Sequence, residues 1–329
     1  MENLNCPVDS KYQNTLNNNL IFSGITLHKG IISNIKIKPS QEDTGISFIR
    51  TDAKNHNIIK AHYLNVSETN LCTKLSNNNG ISISTVEHLM AAFIGFGIDN
   101  ALVEVDGPEL PILDGSSAPF VNAFKKTGIK KLNQKRKVFN VLKKVSIIEK
   151  DRFITLEPNN FLSINMEINH DCKLINSQSF SFDLQGSLFE DQLMNARTYG
   201  FKEHASMLIK KGLALGASEN NALVFNGDTV LNNDGLRYFN EPVRHKILDC
   251  LGDFFMAGYR INGKINAYKS GHELNNKLIH ALFDKNENWE LKTIDSENTI
   301  NHNNQSEKNS SYSVIFYSCI NKIFRYYII

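Results

Sequence analysis

The chain has 329 residues, 41% hydrophobic and 21% charged, a balance that excludes a disordered or fibrous protein and fits one large or two moderate domains. Its net charge of +2 comes with no basic stripe above the background, so nucleic acid is not an expected partner. The five cysteines, Cys6, Cys72, Cys172, Cys250 and Cys319, are odd in number and contain no C-x-x-C pair, which argues against a disulfide framework or a thiolate zinc site and fits a reducing cytosol.

The first ten residues, MENLNCPVDS, carry no apolar core, and no signal peptide is expected there. Asn-rich patches such as NTLNNN and LSNNNG suit turns. From Leu20 to Val105 the pattern is mostly short strands, among them ISNIKIKP and NALVEVD, interrupted by one helix from about Thr85 to Ile94. A second helix follows DGSSAP, with Ser116 or Ser117 as cap and Pro119 in the first turn, and runs to Lys126. The basic run from Lys130 to Lys137 reads as a solvated linker.

Strand signals return in VFNVLKKVSII, FITLEP and LSINMEIN, followed by helices near 188–195 and 203–211 and a longer one that Asn240 would cap, with Pro242 in its first turn. This order suggests two α+β domains, residues 1–130 and 137–296, joined near 128–137. Residues 297–329 turn polar and then apolar. The closing stretch is shorter than the ~20 apolar residues of a membrane span and is broken by Asn321, Lys322 and Arg325, so it reads as an idiosyncratic end, and no transmembrane segment is expected.

The segment RHKILDCLGD is helical by pattern yet places four ionisable side chains beside buried positions. On a helical wheel Asp249 lies about 40° and Asp253 about 80° from His245, while Leu248, Leu251, Phe254 and Phe255 gather opposite. His245 and Asp249, at i and i+4, have the spacing with which an imidazole nitrogen and a carboxylate oxygen reach one metal ion; an ordinary exposed ion pair has the same spacing. In STVEHLMAAFIGFG the stripe Val86, Leu89, Met90, Phe93 and Ile94 packs inward, and His88 falls on the far side between Ala91 and Ala92. Two histidines and one aspartate would leave a coordination position open, as catalytic zinc sites do. Glu87 fits either a general base or the last member of a Ser84-x-x-Glu87 capping box, and spacing favours the cap.

Seven blocks, SGITLHKG, ISTVEHLMAA, GIDNALVEVDGPELPILDGSSAPFV, ARTYGF, DGLRY, VRHKILDCLGD and AYKSGHELNNKL, resemble in order and spacing the UDP-3-O-acyl-N-acetylglucosamine deacetylases, the zinc amidases of lipid A synthesis, over roughly residues 20 to 290. The resemblance implies a fold of two similar α+β domains, each a β-sheet layered against a pair of helices, with the active site between them. It implies His88, His245 and Asp249 as metal ligands and Glu87 as base, overruling the cap. Thr198 would hold the oxyanion, Lys246 would stand near the reacting centre, and His272, paired with Asp253, would protonate the leaving amine. The implied metal is zinc, although the same ligand set accepts iron(II). The implied substrate carries a nucleotide and an acyl chain, which points to a monomeric cytoplasmic enzyme of lipid metabolism compatible with a position close to the inner membrane.

Residues around LALGASENNALVFNGDTVL are where an acyl passage is expected. His28, in a Gly-flanked turn, and DGSSAPF read as scaffold. Thr26 stands where the family commonly has glycine or another small residue, and the tail matches nothing in it. A zinc amidase for another acylated amino sugar would keep the metal ligands without needing the whole AYKSGHELNNKL block. A noncatalytic nucleotide-sugar-binding relative should have lost Glu87, His272 or a ligand, and all are present.

Overall fold

The structure, a computed structural model, describes residues 7–55 and 57–294. Every residue of the helix Glu87–Phe96 (α1) is buried, and a helix apolar or small nearly all round has to be covered on all sides. Part of the cover comes from a five-stranded sheet ordered in space Leu20–Ile25, Ile32–Pro39, Ala101–Val105, Ile46–Arg50, Ile58–Lys60. Its neighbours are antiparallel except for Ala101–Val105 beside Ile46–Arg50, which are parallel. Strand alternation turns Ile35, Ile37, Phe48, Val103 and Val105 into the core that also holds Leu89, Met90 and Phe93. The helix Ala118–Thr127 (α2) runs beside α1, with Phe124 stacked on Phe93 and Phe120 edge-on to Phe22 of the first sheet strand.

The second half is built on Arg260–Tyr268. Its first residues pair parallel with Lys137–Val141 and the remainder parallel with Leu162–Asn169, while Arg152–Glu157 pairs antiparallel with it. Val145–Glu149, Ser177–Asp183 and Trp289–Thr293 complete seven strands. Two short helices, Leu188–Gln192 (α3) and Lys202–Lys210 (α4), precede the long Glu241–Phe255 (α5), and His272–Phe283 (α6) follows. The core is continuous between the halves because α5 lies directly against α1 and also against α6.

Several expectations shift. α1 begins at Glu87, not Thr85, because Thr85 has φ of 60°, a left-handed conformation that cannot start a right-handed helix. The capping box does not form: Ser84 Oγ donates to the Pro108 carbonyl, and the Glu87 carboxylate accepts from the Thr73 amide at 3.0 Å. The basic run is not a free linker. Ile129–Lys135 is a strand paired antiparallel with Tyr12–Leu16; its lysines at 130 and 131 face water while Leu132 turns in. Arg136 is buried and donates to Asp99 and to the carbonyls of Pro7, Val8, Ser10 and Gly97, a use of a basic residue that charge counting cannot separate from solvation. The helix expected over 188–195 closes at Gln192. Neither Ser117 nor Asn240 caps its helix with its side chain, although each stands in the N-cap position. The tail from 297 lies outside the described residues.

Candidate metal centre and active site

The site begins with a glycine. A Cβ at Gly252 would overlap the Glu87 carbonyl oxygen and stand 3.1 Å from Ala91 N, so α5 reaches the backbone of α1 only because residue 252 has no side chain. With the helices this close, His88 on α1 meets the row His245, Asp249 and Asp253 on α5. All four are buried, at 4%, 2%, 2% and 4% exposure, which replaces the reading of His245 and Asp249 as a solvated ion pair.

His88 Nε2 and His245 Nε2 lie 3.5 and 3.3 Å from the same oxygen, Asp249 Oδ1, with the two rings at 82°. The three ligand atoms fall within 4.8 Å of one another. That oxygen is buried and accepts no hydrogen bond among the described residues. An unsatisfied carboxylate oxygen facing two imidazole nitrogens is costly as it stands and becomes satisfied if a cation sits between them, so the donor set fits a divalent metal with an open position. His245 is prepared for this role. Burial pushes its pKa down to about 3, keeping it neutral. Its Nδ1 lies 3.1 Å from the Ala196 carbonyl, so Nδ1 carries the proton and Nε2 keeps its lone pair for the metal. Burial opposes ionisation of Asp249, but neighbouring charge, including Lys246 Nζ donating to Oδ2 at 2.5 Å, holds it well below the usual carboxylate range.

Beside the triad, His272 Nδ1 donates to Asp253 Oδ2 at 2.8 Å, and its Nε2 lies 4.0 Å from Asp249 Oδ2. Burial disfavours its charge, yet Asp253 outweighs burial and pushes His272 up to about 9. Glu87 is fully buried; desolvation raises its carboxyl above the usual range, opposed by His272 and His88. Glu87 therefore combines a carboxylate's acceptor geometry with a basicity lifted toward neutral pH.

The structure thus joins His245, Lys246, Asp249 and Asp253 on α5 to His88 on α1 and His272 on α6, with Glu87 at the start of α1. Thr198 is not bonded to them through its hydroxyl among the described residues. It sits two residues beyond the Ala196 carbonyl, with its backbone N donating to Gly115 and its carbonyl accepting from Leu223. The sequence reading missed Thr73, whose amide binds Glu87 and whose hydroxyl donates to Asp253 at 2.6 Å. It also missed Asn275, which donates to Asp253 Oδ2 at 2.8 Å. Asn275 left a signal, an amide on the inward side of an amphipathic helix; Thr73, just before the short strand Lys74–Ser76, left none. His28 is buried in its turn, its amide donating to Glu109 and its ring accepting from Ala214 N. DGSSAPF is scaffold that touches the site: Ser117 Oγ donates to the His88 carbonyl.

The profile of the UDP-3-O-acyl N-acetylglycosamine deacetylase family matches residues 13–284. Among curated relatives, UDP-3-O-acyl-N-acetylglucosamine deacetylase of Syntrophus aciditrophicus (strain SB) is 41% identical over 278 residues, covering 84% of this chain and 88% of its own length. The enzyme of the same name from Actinobacillus succinogenes is 41% identical over 290 residues, covering 88% and 95%, and that from Pasteurella multocida 40% over 292 residues, covering 88% and 96%.

Proposed function

Because the chain belongs to the UDP-3-O-acyl-N-acetylglucosamine deacetylase family, we propose that it hydrolyses the N-acetyl group of UDP-3-O-acyl-N-acetylglucosamine, giving the free amine and acetate, an early step of lipid A biosynthesis. The observation that carries the reading is the orphaned Asp249 oxygen facing His88 and His245 within a buried cluster that also holds a raised carboxyl and a charged imidazole.

Amide hydrolysis needs an activated water, a stabilised oxyanion and a proton for the leaving nitrogen. His88, His245 and Asp249 would hold zinc, with iron(II) the next candidate for the same donors. Bound there, the metal supplies Lewis-acid charge that polarises the amide carbonyl and acidifies the attacking water. Glu87 accepts a proton from that water as its oxygen bonds to the acetyl carbon. Thr198 donates a hydrogen bond to the oxyanion that forms, a contact of a type worth about 3–4 kcal/mol. Lys246 adds positive charge beside it. His272, held by Asp253 and Thr73, passes a proton to the glucosamine nitrogen as the C–N bond breaks and acetate leaves.

Of the two domains expected at 1–130 and 137–296, the first would line the site with α1 and the second with α5 and α6. The acyl chain is assigned to the segment around residues 213–231, where Leu215 exposes apolar surface and the exposed Met207 and Ile209 of α4 stand just before it. No helix among the described residues is long and apolar enough to cross a membrane. A monomer acting in the cytoplasm completes the proposal. The test is acetate release from UDP-3-O-acyl-N-acetylglucosamine by purified protein before and after chelation and metal restoration. Metal-dependent release is expected. No release by protein holding one equivalent of zinc would overturn the assignment.

A further inference from the structure

Residues 196 to 198 meet the site through the Ala196 carbonyl, which accepts from His245, and in the proposed mechanism also through Thr198. What holds this strap is the residue between them. Arg197 is buried at 2% exposure, and its side chain bonds to none of the candidate metal ligands. Its Nε donates to Glu241 Oε1 at 2.9 Å and its Nη2 to Glu241 Oε2 at 3.3 Å; Nη1 donates to Asp234 at 2.9 Å and Nη2 to the Gly235 carbonyl at 2.6 Å. Glu241, with no exposure at all, also accepts from the backbone amides of Arg197 at 2.9 Å and Arg237 at 2.7 Å.

Glu241 and His245 are one turn apart on α5. The helix therefore grips the strap at two adjacent points, the Glu241 carboxylate on residue 197 and the His245 ring on residue 196. A fully buried ion pair is a poor source of stability compared with apolar residues of the same size, but its directional bonds fix register. Those bonds set where the Ala196 carbonyl points. From the N-terminal half, the Gly115 carbonyl takes the Thr198 amide at 2.8 Å, so the strap is fixed on both sides.

We propose that Arg197 and Glu241 are positioning residues for the metal centre: they fix the strap so that the Ala196 carbonyl holds His245 in the tautomer that aims Nε2 at Asp249 and His88, and so that Thr198 faces the reacting carbonyl. The inference rests on the metal-centre reading above. Its test compares Glu241→Gln and Arg197→Lys with Asp234→Asn, which weakens an exposed outer partner of the same guanidinium and leaves every bond between Glu241 and the strap in place. Metal affinity is measured by chelator competition, kcat and KM at saturating metal, and folding of the metal-free protein by thermal melting. Glu241→Gln and Arg197→Lys should weaken metal binding about 10- to 100-fold and lower kcat with little change in KM, while Asp234→Asn stays within about twofold of wild type. Folded variants with wild-type metal affinity and kcat would reduce the pair to a structural brace and overturn the inference. Should the variants not fold, isotope-labelled histidine NMR of the wild-type protein decides: His245 protonated at Nδ1 supports the inference, and protonation at Nε2 overturns it. Wild-type protein that binds no metal would overturn the metal-centre reading and this inference with it; wild-type binding with unchanged variants overturns this inference alone.

Discussion

Replacing Gly252 by alanine tests whether the metal centre depends on how closely α1 and α5 approach. The new Cβ would overlap the Glu87 carbonyl oxygen, stand 2.9 Å from its carbonyl carbon and 3.1 Å from Ala91 N, where real Cβ contacts essentially never fall under 3.0 Å. The obstacle is helix backbone, which cannot swing aside as the tip of a flexible side chain does. Relief requires separating the helices by about 1 Å, and such overpacking destabilises by about 1–3 kcal/mol. His88 rides on α1 whereas His245 and Asp249 ride on α5, so the separation widens the 3.5 Å gap between His88 and Asp249 and leaves the 3.3 Å gap within α5 alone. A ligand displaced by about 1 Å is expected to lower kcat about 100-fold. Chelator competition, kcat at saturating metal and thermal melting of G252A read the three consequences separately. Folded G252A with wild-type metal affinity and kcat would refute the argument that helix approach sets the ligand spacing.

Glu87→Ala should retain metal while kcat falls about 100- to 10,000-fold, because a general base is lost and no ligand is; normal turnover would remove Glu87 from the chemistry. His245→Ala should lose the metal itself, so one equivalent bound after purification, read by elemental analysis, would contradict the ligand set. In the metal-free protein, His272 has its folded value raised to about 9 from 6.5, so its contribution to stability is fully present below pH 6.5 and is lost as pH rises through about 9. The shift sets an upper bound of about 3 kcal/mol, and denaturant melts at the two ends of that window should show the loss in wild type but not in His272→Ala. Equal pH slopes would disprove the charged-histidine assignment. Thr73→Val, which strips one donor from the Asp253 carboxylate, should destabilise by about 1.5–3 kcal/mol in the same melts; an unchanged melt would mean that Asp253 does not depend on that bond.

What the sequence disclosed of this site was its periodic part. His245, Asp249 and Asp253 could be placed on one helix face because 3.6-residue spacing is local, and His88 could be set apart from its core stripe for the same reason. Locality also misled. Ser84 and Glu87 have capping-box spacing, but the left-handed Thr85 between them breaks the geometry, and no pattern of residue types announces that a β-branched residue will hold φ of 60°. The chain from Lys130 to Lys137 has the composition of a solvated linker, yet it pairs with Tyr12–Leu16, a partner more than a hundred residues earlier. Bonds such as Thr73 to Asp253 join residues 180 positions apart and are set only when both halves fold. The strap pinned by Glu241 was equally invisible, since an Arg in ARTYGF and a Glu before a proline look like surface charge until burial is known.

Seven ionisable side chains, Glu87, His88, His245, Lys246, Asp249, Asp253 and His272, meet where α1, α5 and the start of α6 come together, and stability alone would select against most of them. The cluster divides into two kinds. Asp253 is fully engaged, accepting from His272, Thr73 and Asn275, and so resembles a completed internal network. Asp249 is not: one oxygen is taken by Lys246 and the other is left facing the nitrogens of two histidines. A satisfied carboxylate orients a neighbour, and an unsatisfied one waits for a cation. In the proposed mechanism that difference gives the two aspartates, four residues apart on one helix, separate parts: Asp253 would keep His272 charged and Asp249 would hold metal. It also explains why the apolar face of α5 has to be extensive, because Val243, Ile247, Leu248, Leu251 and Phe254 must supply the burial energy that lets the opposite face remain strained.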